Sequence, residues 1–389
     1  MINSSKSLNS KMDNLELLSE YGTFLREKKA EGKKIVAFIS HDNIPEELLD
    51  AAGFVPLRLI FAGNDELMDA SHDYLPPSTC AFAQSCIGLY SLKPTQYNFL
   101  DLVDYFIVSN HCVSDICASE IISKYFNISR LNFYISYTKN ENSLKYFKLE
   151  LFELKKQLEN INGYKVQDEE FKKSIKKYNS FKKKLLEFSL INIKGSEKLK
   201  VLQYAMLYGP SFLPKLELYI KEFKDNQIQS SKGLKDILLT GGSIFINDHL
   251  IDLIEEGGGN IIYLDTWIGN NYYSQIFGDN ILDSMENPYD LLVQRFKNNI
   301  FGDHSVPNFL ENKISQLERI YLEHKKKTGK KLGIINHIIK FCDHISIMST
   351  HLKNRLQEKG IQVLNLERDY SRAIRGQLTT RIEAFLEMI

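Results

Sequence analysis

One pattern constrains this chain more than any other: short apolar runs that end in a turn and lead into a helical segment. "KKIVAFIS", "VPLRLIF", "VDYFIVSN" and "LNFYIS" each have the length and the β-branched and aromatic content of a buried strand. Between the first two, "IPEELLDAAGF" carries proline near its start and glycine at its end, the punctuation of a helix. "PPSTCAFAQSCIGLYSL" reads as a loop entering a helix, and "DICASEIISKYF" as another helix. Apolar strands that alternate with helices predict a parallel sheet covered on both faces.

The rhythm stops at about residue 143. "NSLKYFKLELFELKKQLENINGY" and "DEEFKKSIKKYNSFKKKLLEFSL" place apolar residues at three- and four-residue steps among charges, so amphipathic helices are expected. The rhythm resumes with "KDILLTGG", "NIIYLD", "KLGIINHI" and "IQVLNLE" as strands. "IFINDHLIDLIEEGGG", "VPNFLENKISQLERIYLEHKKKTG", "ISIMSTHLKNRLQEKG" and "GQLTTRIEAFLEMI" are the matching helices. No sequence repeat relates the halves, although their architecture is the same. The predicted fold is α/β: two doubly wound Rossmann-like domains with parallel sheets, plus an intervening helical layer. The expected division is an N-terminal helical extension over 1–30, a first α/β domain over 31–142, a helical connecting region over 143–230 and a second α/β domain over 231–389.

Lysine plus arginine equals aspartate plus glutamate, 49 each, so no global field attracts nucleic acid or an anionic membrane. The basic run "KKSIKKYNSFKKKLLE" has its charges at helical spacing and reads as a solvated helix face. The polar N-terminus lacks the apolar stretch of a secretory signal. No segment approaches the roughly 18 apolar residues of a membrane span. The expected location is cytoplasmic. Five cysteines there read as free thiols, a metal site or redox chemistry, and not as a disulfide framework.

In open α/β sheets, ligands sit outside the carboxyl ends of the strands. "STCAFAQSC" follows the second strand, "VSNHCVSDIC" the third, and "KFCD" the run "LGIINHI". If the two sheet edges face each other, Cys80, Cys112 and Cys342 converge. Any one of them alone reads first as a small buried apolar residue, and three in the same topological place shift that reading toward a shared site. No CxxC pair suits a closed zinc site. Three thiolates on a four-iron cluster would leave one iron open. A second constellation ends the first strand: Ser40, His41 and Asp42, followed by Glu46 and Glu47 in a first helical turn. These residues suit substrate binding or proton transfer, and equally a helix cap with acids at the positive end of the macrodipole. "LTGGSIF" and "EEGGGN" match neither GxGxxG nor a Walker loop and read as turns, so no nucleotide loop is evident.

The tail "LNLERDYSRAIRGQLTTRIEAFLEMI" resembles the C-terminal signature of the 2-hydroxyacyl-CoA dehydratase subunit family, which includes benzoyl-CoA reductase subunits. Glu367, Asp369, Gly376, Gln377, Thr380, Arg381, Glu383 and Phe385 fit that signature. "IPEELLDAAGFVPLRL", "YLPPSTCAFAQSCIG", "SNHC" and "KFCD" add to the resemblance, which runs from about residue 20 to the end. It implies a [4Fe-4S] cluster with three cysteine ligands, by position Cys80, Cys112 and Cys342. It also implies an acyl-CoA substrate, a paralogous subunit in a heterodimer, and a separate ATP-dependent activator iron–sulfur protein that injects one electron. A ketyl radical on the thioester then expels the 2-hydroxyl. The resemblance puts Glu47 near the cluster, with Ser40 and His41 as further catalytic candidates. Cys86 and Cys117 are either core or cluster-adjacent, with core the favoured reading. The alternatives are a benzoyl-CoA-reductase-like subunit, which delivers electrons net, and a non-catalytic electron-relay partner subunit.

Overall fold

The computed structural model describes residues 14–39, 43–110, 112–225, 233–299 and 308–389. Its first sheet consists of β1 (Lys34–Ile39), β2 (Phe54–Leu59), β3 (Tyr105–Ser109) and β4 (Ser129–Phe133), all parallel, in the order β2-β1-β3-β4. Around it lie α1 (Asn14–Ala30), α2 (Glu46–Ala51), α3 (Asp65–Ala70), α4 (Ala81–Leu92) and α5 (Val113–Tyr125). The helical layer follows as α6 (Glu141–Asn162), α7 (Asp168–Ser189), α8 (Gly195–Tyr208) and α9 (Leu213–Asp225). The second sheet consists of β5 (Lys235–Gly241), β6 (Gly259–Asp265), β7 (Gly333–Ile339) and β8 (Val363–Arg368), again parallel, in the order β6-β5-β7-β8. Its helices are α10 (Leu250–Glu256), α11 (Asn270–Tyr273), α12 (Asp279–Ser284), α13 (Pro288–Asn298), α14 (Phe309–Thr328), α15 (Asp343–Glu358) and α16 (Arg375–Met388). The fold is the predicted one: two Rossmann-like α/β units with a helical layer, sharing a strand order that the sequences do not share.

The strands are apolar on both faces because both faces are covered. Successive side chains alternate sides. Ile35, Ala37 and Ile39 therefore enter one core, while Val36 and Phe38 enter another with Leu151, Leu154 and Leu158 of α6 and Phe171 and Ile175 of α7. The first core is continuous through both sheets. It includes Leu57 and Leu59 of β2, Ile237 and Leu239 of β5, and Leu199, Leu202 and Ala205 of α8. A third core, under α14 and α15, covers the remaining face of the second sheet with Leu238, Ile334 and Val363.

The structure corrects one expected helix and adds others. The helix expected from "IFINDHLIDLIEEGGG" is confined to α10, and Ile244–Ile246 lie before it. Ile246 makes a parallel bridge with Phe61: its N–H donates to the Ile60 oxygen at 2.9 Å, and the Ala62 N–H donates to the Ile246 oxygen at 2.8 Å. These bonds stitch the end of β2 to the segment after β5, and three consecutive buried apolar residues serve that contact better than a helix would. Helices α3, α11, α12 and α13 were not anticipated, because they are short or lie in stretches without a clear apolar period.

Candidate functional site

Cys80, Cys112 and Cys342 each occupy the N-cap of a helix: α4, α5 and α15 respectively. Cys112 and Cys342 have equivalent positions, each just beyond the third strand of its sheet. The two sheet edges meet directly. The Ala81 N–H donates to the Lys340 oxygen at 3.2 Å, joining the Cys80 turn to the Cys342 turn. Phe341, immediately before Cys342, has φ +62°, a backbone conformation that non-glycine residues rarely adopt. The turn there is tight: the Cys342 N–H donates to the Ile339 oxygen at 2.9 Å.

The thiols interact across the edge. A hydrogen bond from Cys342 lowers the Cys80 pKa against the opposing effect of burial, and the N–H groups of Ala83 and Phe82 assist. The same bond and burial push Cys342 well up. Burial and the Asp115 charge push Cys112 up to about 12, and its Sγ accepts the Asp115 N–H at 3.4 Å. Cys112 and Cys342 also interact electrostatically. Three helix N-termini thus direct their positive ends toward three sulfurs. Beside Cys80, Phe82 stacks on Phe245 from the other half, with ring centroids 4.0 Å apart and planes 1° from parallel. Among the described residues, no group of three or more His, Cys, Asp or Glu side chains stands ready to hold a metal ion.

The other cysteines separate. Cys86 is fully buried, as expected of a core residue. Cys117 is exposed on the outer face of α5, which corrects the expectation that it lies in the core. Ser40 and His41 lie outside the described residues.

Glu47 is 1% exposed and held in a fork by Arg295, whose Nη1 and Nη2 donate to its two carboxylate oxygens at 2.5 and 3.0 Å. Burial pushes the carboxyl up, but the charges of Arg295 and Lys182 and the Arg295 hydrogen bond outweigh it and hold the pKa at about 2. Lys182 Nζ lies 3.8 Å from Glu47. Next to Glu47, Glu46 pairs with Arg58 at 3.0 Å in equal burial. Lys182 and Arg295 line a small chamber that also includes Asn43, Asn271, Gln275 and Phe296. The centres of water-sized molecules can occupy about 20 Å³ of it, room for a water or a small ion and too little for a drug-sized ligand. Asn43 opens the turn into α2, beyond β1, and Asn271 and Gln275 follow β6, so the chamber lies between the carboxyl edges of the two sheets. Tyr137, raised in pKa by burial and by the Cys112 and Asp115 charges, is two residues from Lys139. Lys139 Nζ sits 3.3 Å over the Phe296 ring in the chamber wall.

Sequence reasoning placed the three cysteines at the strand ends where helices begin but missed Lys182 and Arg295. Lys182 belongs to the basic run read as a solvated face, yet it is 7% exposed. Its signal was its spacing: Phe171, Ile175, Tyr178, Lys182 and Leu185 fall at alternating four- and three-residue steps, the buried stripe of α7. Arg295 lies on α13, one of the unanticipated helices, and nothing in the sequence linked it to Glu47.

The chain aligns over its full length, and over that of the relative, with the (R)-phenyllactyl-CoA dehydratase beta subunit of Clostridium sporogenes, at 24% identity. It is also 24% identical to the "Putative dehydratase subunit YjiM" of Escherichia coli (strain K12), over 89% of each chain. Residues 43–389, which include Cys80, Cys112 and Cys342, match the family described as 2-hydroxyglutaryl-CoA dehydratase, D-component. The chain belongs to this dehydratase D-component family.

Proposed function

We propose that the chain is the iron–sulfur subunit of a 2-hydroxyacyl-CoA dehydratase, with Cys80, Cys112 and Cys342 as the ligands of a [4Fe-4S] cluster. The observation that supports this reading is that Cys80, Cys112 and Cys342 each begin a helix beyond a strand end, with the Cys80 and Cys342 turns hydrogen-bonded to each other across the two halves of the chain. The donor set suits a cluster better than a single ion, because thiolates that bind different irons stand further apart than ligands of one ion. Cluster ligands must be deprotonated, and the helix ends and backbone N–H groups favour that state. When bound, the cluster would supply one-electron chemistry at the acyl thioester. The chain's own contribution is to hold the thiolates, to compensate their charge, and to keep water from Cys80 with the Phe82–Phe245 stack. The net reaction loses water from a 2-hydroxyacyl-CoA to give a 2-enoyl-CoA, and the electron is recovered. A paralogous subunit and a separate ATP-dependent activator complete the proposed system. The relatives are named as dehydratases, and no observation favours net reduction or a purely relaying subunit.

Iron analysis after anaerobic purification tests the reading. Wild-type protein and Cys86→Ala are expected to hold about four irons per chain, as one cubane requires. Cys342→Ala is expected to lose most of them. A colourless wild-type protein, or equal iron in both variants, overturns the assignment.

A further inference from the structure

Lys182 is an ammonium nine-tenths buried, and among the described residues it makes no hydrogen bond. An ammonium offers three donors and no acceptor. Its nearest carboxylate, Glu47, is 3.8 Å away and already spans the Arg295 fork. Asn271 is also buried, and its side chain makes no hydrogen bond among the described residues. Both line the chamber, with Arg295 and Gln275 beside them.

Charge decides what such a chamber takes. Glu46 and Arg58 cancel, and Glu47 cancels Arg295. Among the described residues Lys182 leaves one surplus positive charge, which faces only the Tyr272 ring at 4.9 Å and, at 3.8 Å, the already paired Glu47. Burial and repulsion from Arg295 bring its pKa down to about 8, so it stays charged at pH 7. A water would solvate this ammonium without compensating it, and a buried uncompensated charge is costly. A small anion would compensate it, and the Asn271 amide is available to its oxygens, while Gln275 Nε2 already donates to Asn299 Oδ1 at 3.4 Å. The size of the chamber limits that anion to a group like formate or the end of a longer carboxylate.

We propose that the chamber between α6, α7, α11, α13 and the turn into α2 is a binding site for a single carboxylate, with Lys182 as its charge partner and Asn271 as a hydrogen-bond donor. The carboxylate comes either from a free small anion or from the far end of an acyl group; only the second source rests on the dehydratase reading.

Calorimetric titration of the full-length chain with sodium formate, and with formamide as the neutral isostere, tests the site in a buffer without other small anions. Formate is expected to bind saturably and formamide not. Lys182→Met should weaken formate by roughly ten- to hundredfold, the scale of one hydrogen bond to a charged group. Asn271→Leu, which keeps the charge, should weaken it less. Circular dichroism verifies that both variants are folded. In a second arm, an acyl-CoA ending in a carboxylate is compared with one of equal length ending in methyl. A preference for the carboxylate that disappears in Lys182→Met identifies the acyl end as the source. Formate binding without that preference supports the site with a free anion as its occupant. If neither acyl-CoA binds while formate does, the site stands with a free anion as its occupant, and the dehydratase reading is decided separately by the iron analysis. No formate binding, or equal binding in wild type and both variants, means that the chamber holds only water and overturns the proposal.

Discussion

Glu47 and Lys182, 3.8 Å apart, would ordinarily stabilise each other, but Arg295 comes between them energetically: it satisfies the carboxylate and repels the ammonium. Removing each should have opposite effects. Glu47→Gln leaves Arg295 without its counter-charge and should cost about 3–5 kcal/mol at pH 7, measured by denaturant unfolding. Glu47 has a folded pKa of about 2 against a usual 4.5. Its contribution is therefore complete above pH 4.5 and disappears as pH falls through 2, so the difference between wild type and Glu47→Gln should shrink in acid. Lys182→Met should stabilise at pH 7 by something on the order of 3 kcal/mol, because the buried ammonium costs about that much for its shift. Its folded pKa is about 8 against 10.5 unfolded. Between those values the unfolded chain binds the extra proton, so wild-type stability should rise with pH there relative to Lys182→Met. A gap between the two that does not change with pH would exclude this account. Among the described residues, the charged groups that act most on Lys182 are Arg295 of α13, Glu47 and Glu46 of α2, and Arg58 of β2.

At the scale of elements, cysteines that begin helices are poor caps in the place of good ones. Serine, asparagine and aspartate cap better, because an oxygen accepts an N–H more strongly than sulfur does. In the metal-free protein, Cys112→Ser should be at least as stable as wild type, since its oxygen can take over the Asp115 N–H. Cys112→Ala should be about 1 kcal/mol less stable than Cys112→Ser. Both should lose iron in the proposed holoprotein. Thermal melts with iron analysis separate the two roles of the residue: a serine variant that retains iron, or melts with the alanine variant, argues against this division. The strands were legible because each is a compact apolar run bounded by turn residues, and α7 and α14 because of their periodicity. Helix α13 was not, because its amphipathic pattern covers only 11 residues and follows a stretch of short, irregular segments. The early part of the expected α10 went instead to the bridge at Phe61, a tertiary contact with no local signature.

For the whole molecule, the continuity of the first core has a thermodynamic consequence. Helix α8 touches both β2 and β6, and the Gly195 N–H donates to Asn260 Oδ1 at 2.8 Å. A Cβ on Gly195 would lie 2.7 Å from the Ile261 oxygen, so the helix and β6 are as close as a glycine permits. Neither unit can expose its side of this core without exposing the other's. Denaturation followed by far-ultraviolet circular dichroism and by the fluorescence of Trp267, the single tryptophan, should therefore give coincident transitions. A fluorescence change that precedes the loss of helix would show that the second unit unfolds alone. The amino-acid sequence by itself determined the two α/β units, their covered parallel strands, and the topological place of three cysteines, because apolar periodicity and turn residues are local and the carboxyl edge follows from strand direction. Only the tertiary structure decided that the Cys80 and Cys342 turns touch, that Glu47 is clamped by an arginine far along the chain, and that one lysine of a basic run faces inward. Those outcomes depend on how two sheets and a helical layer approach one another, and burial of a charge is a property of that approach and not of the residues beside it.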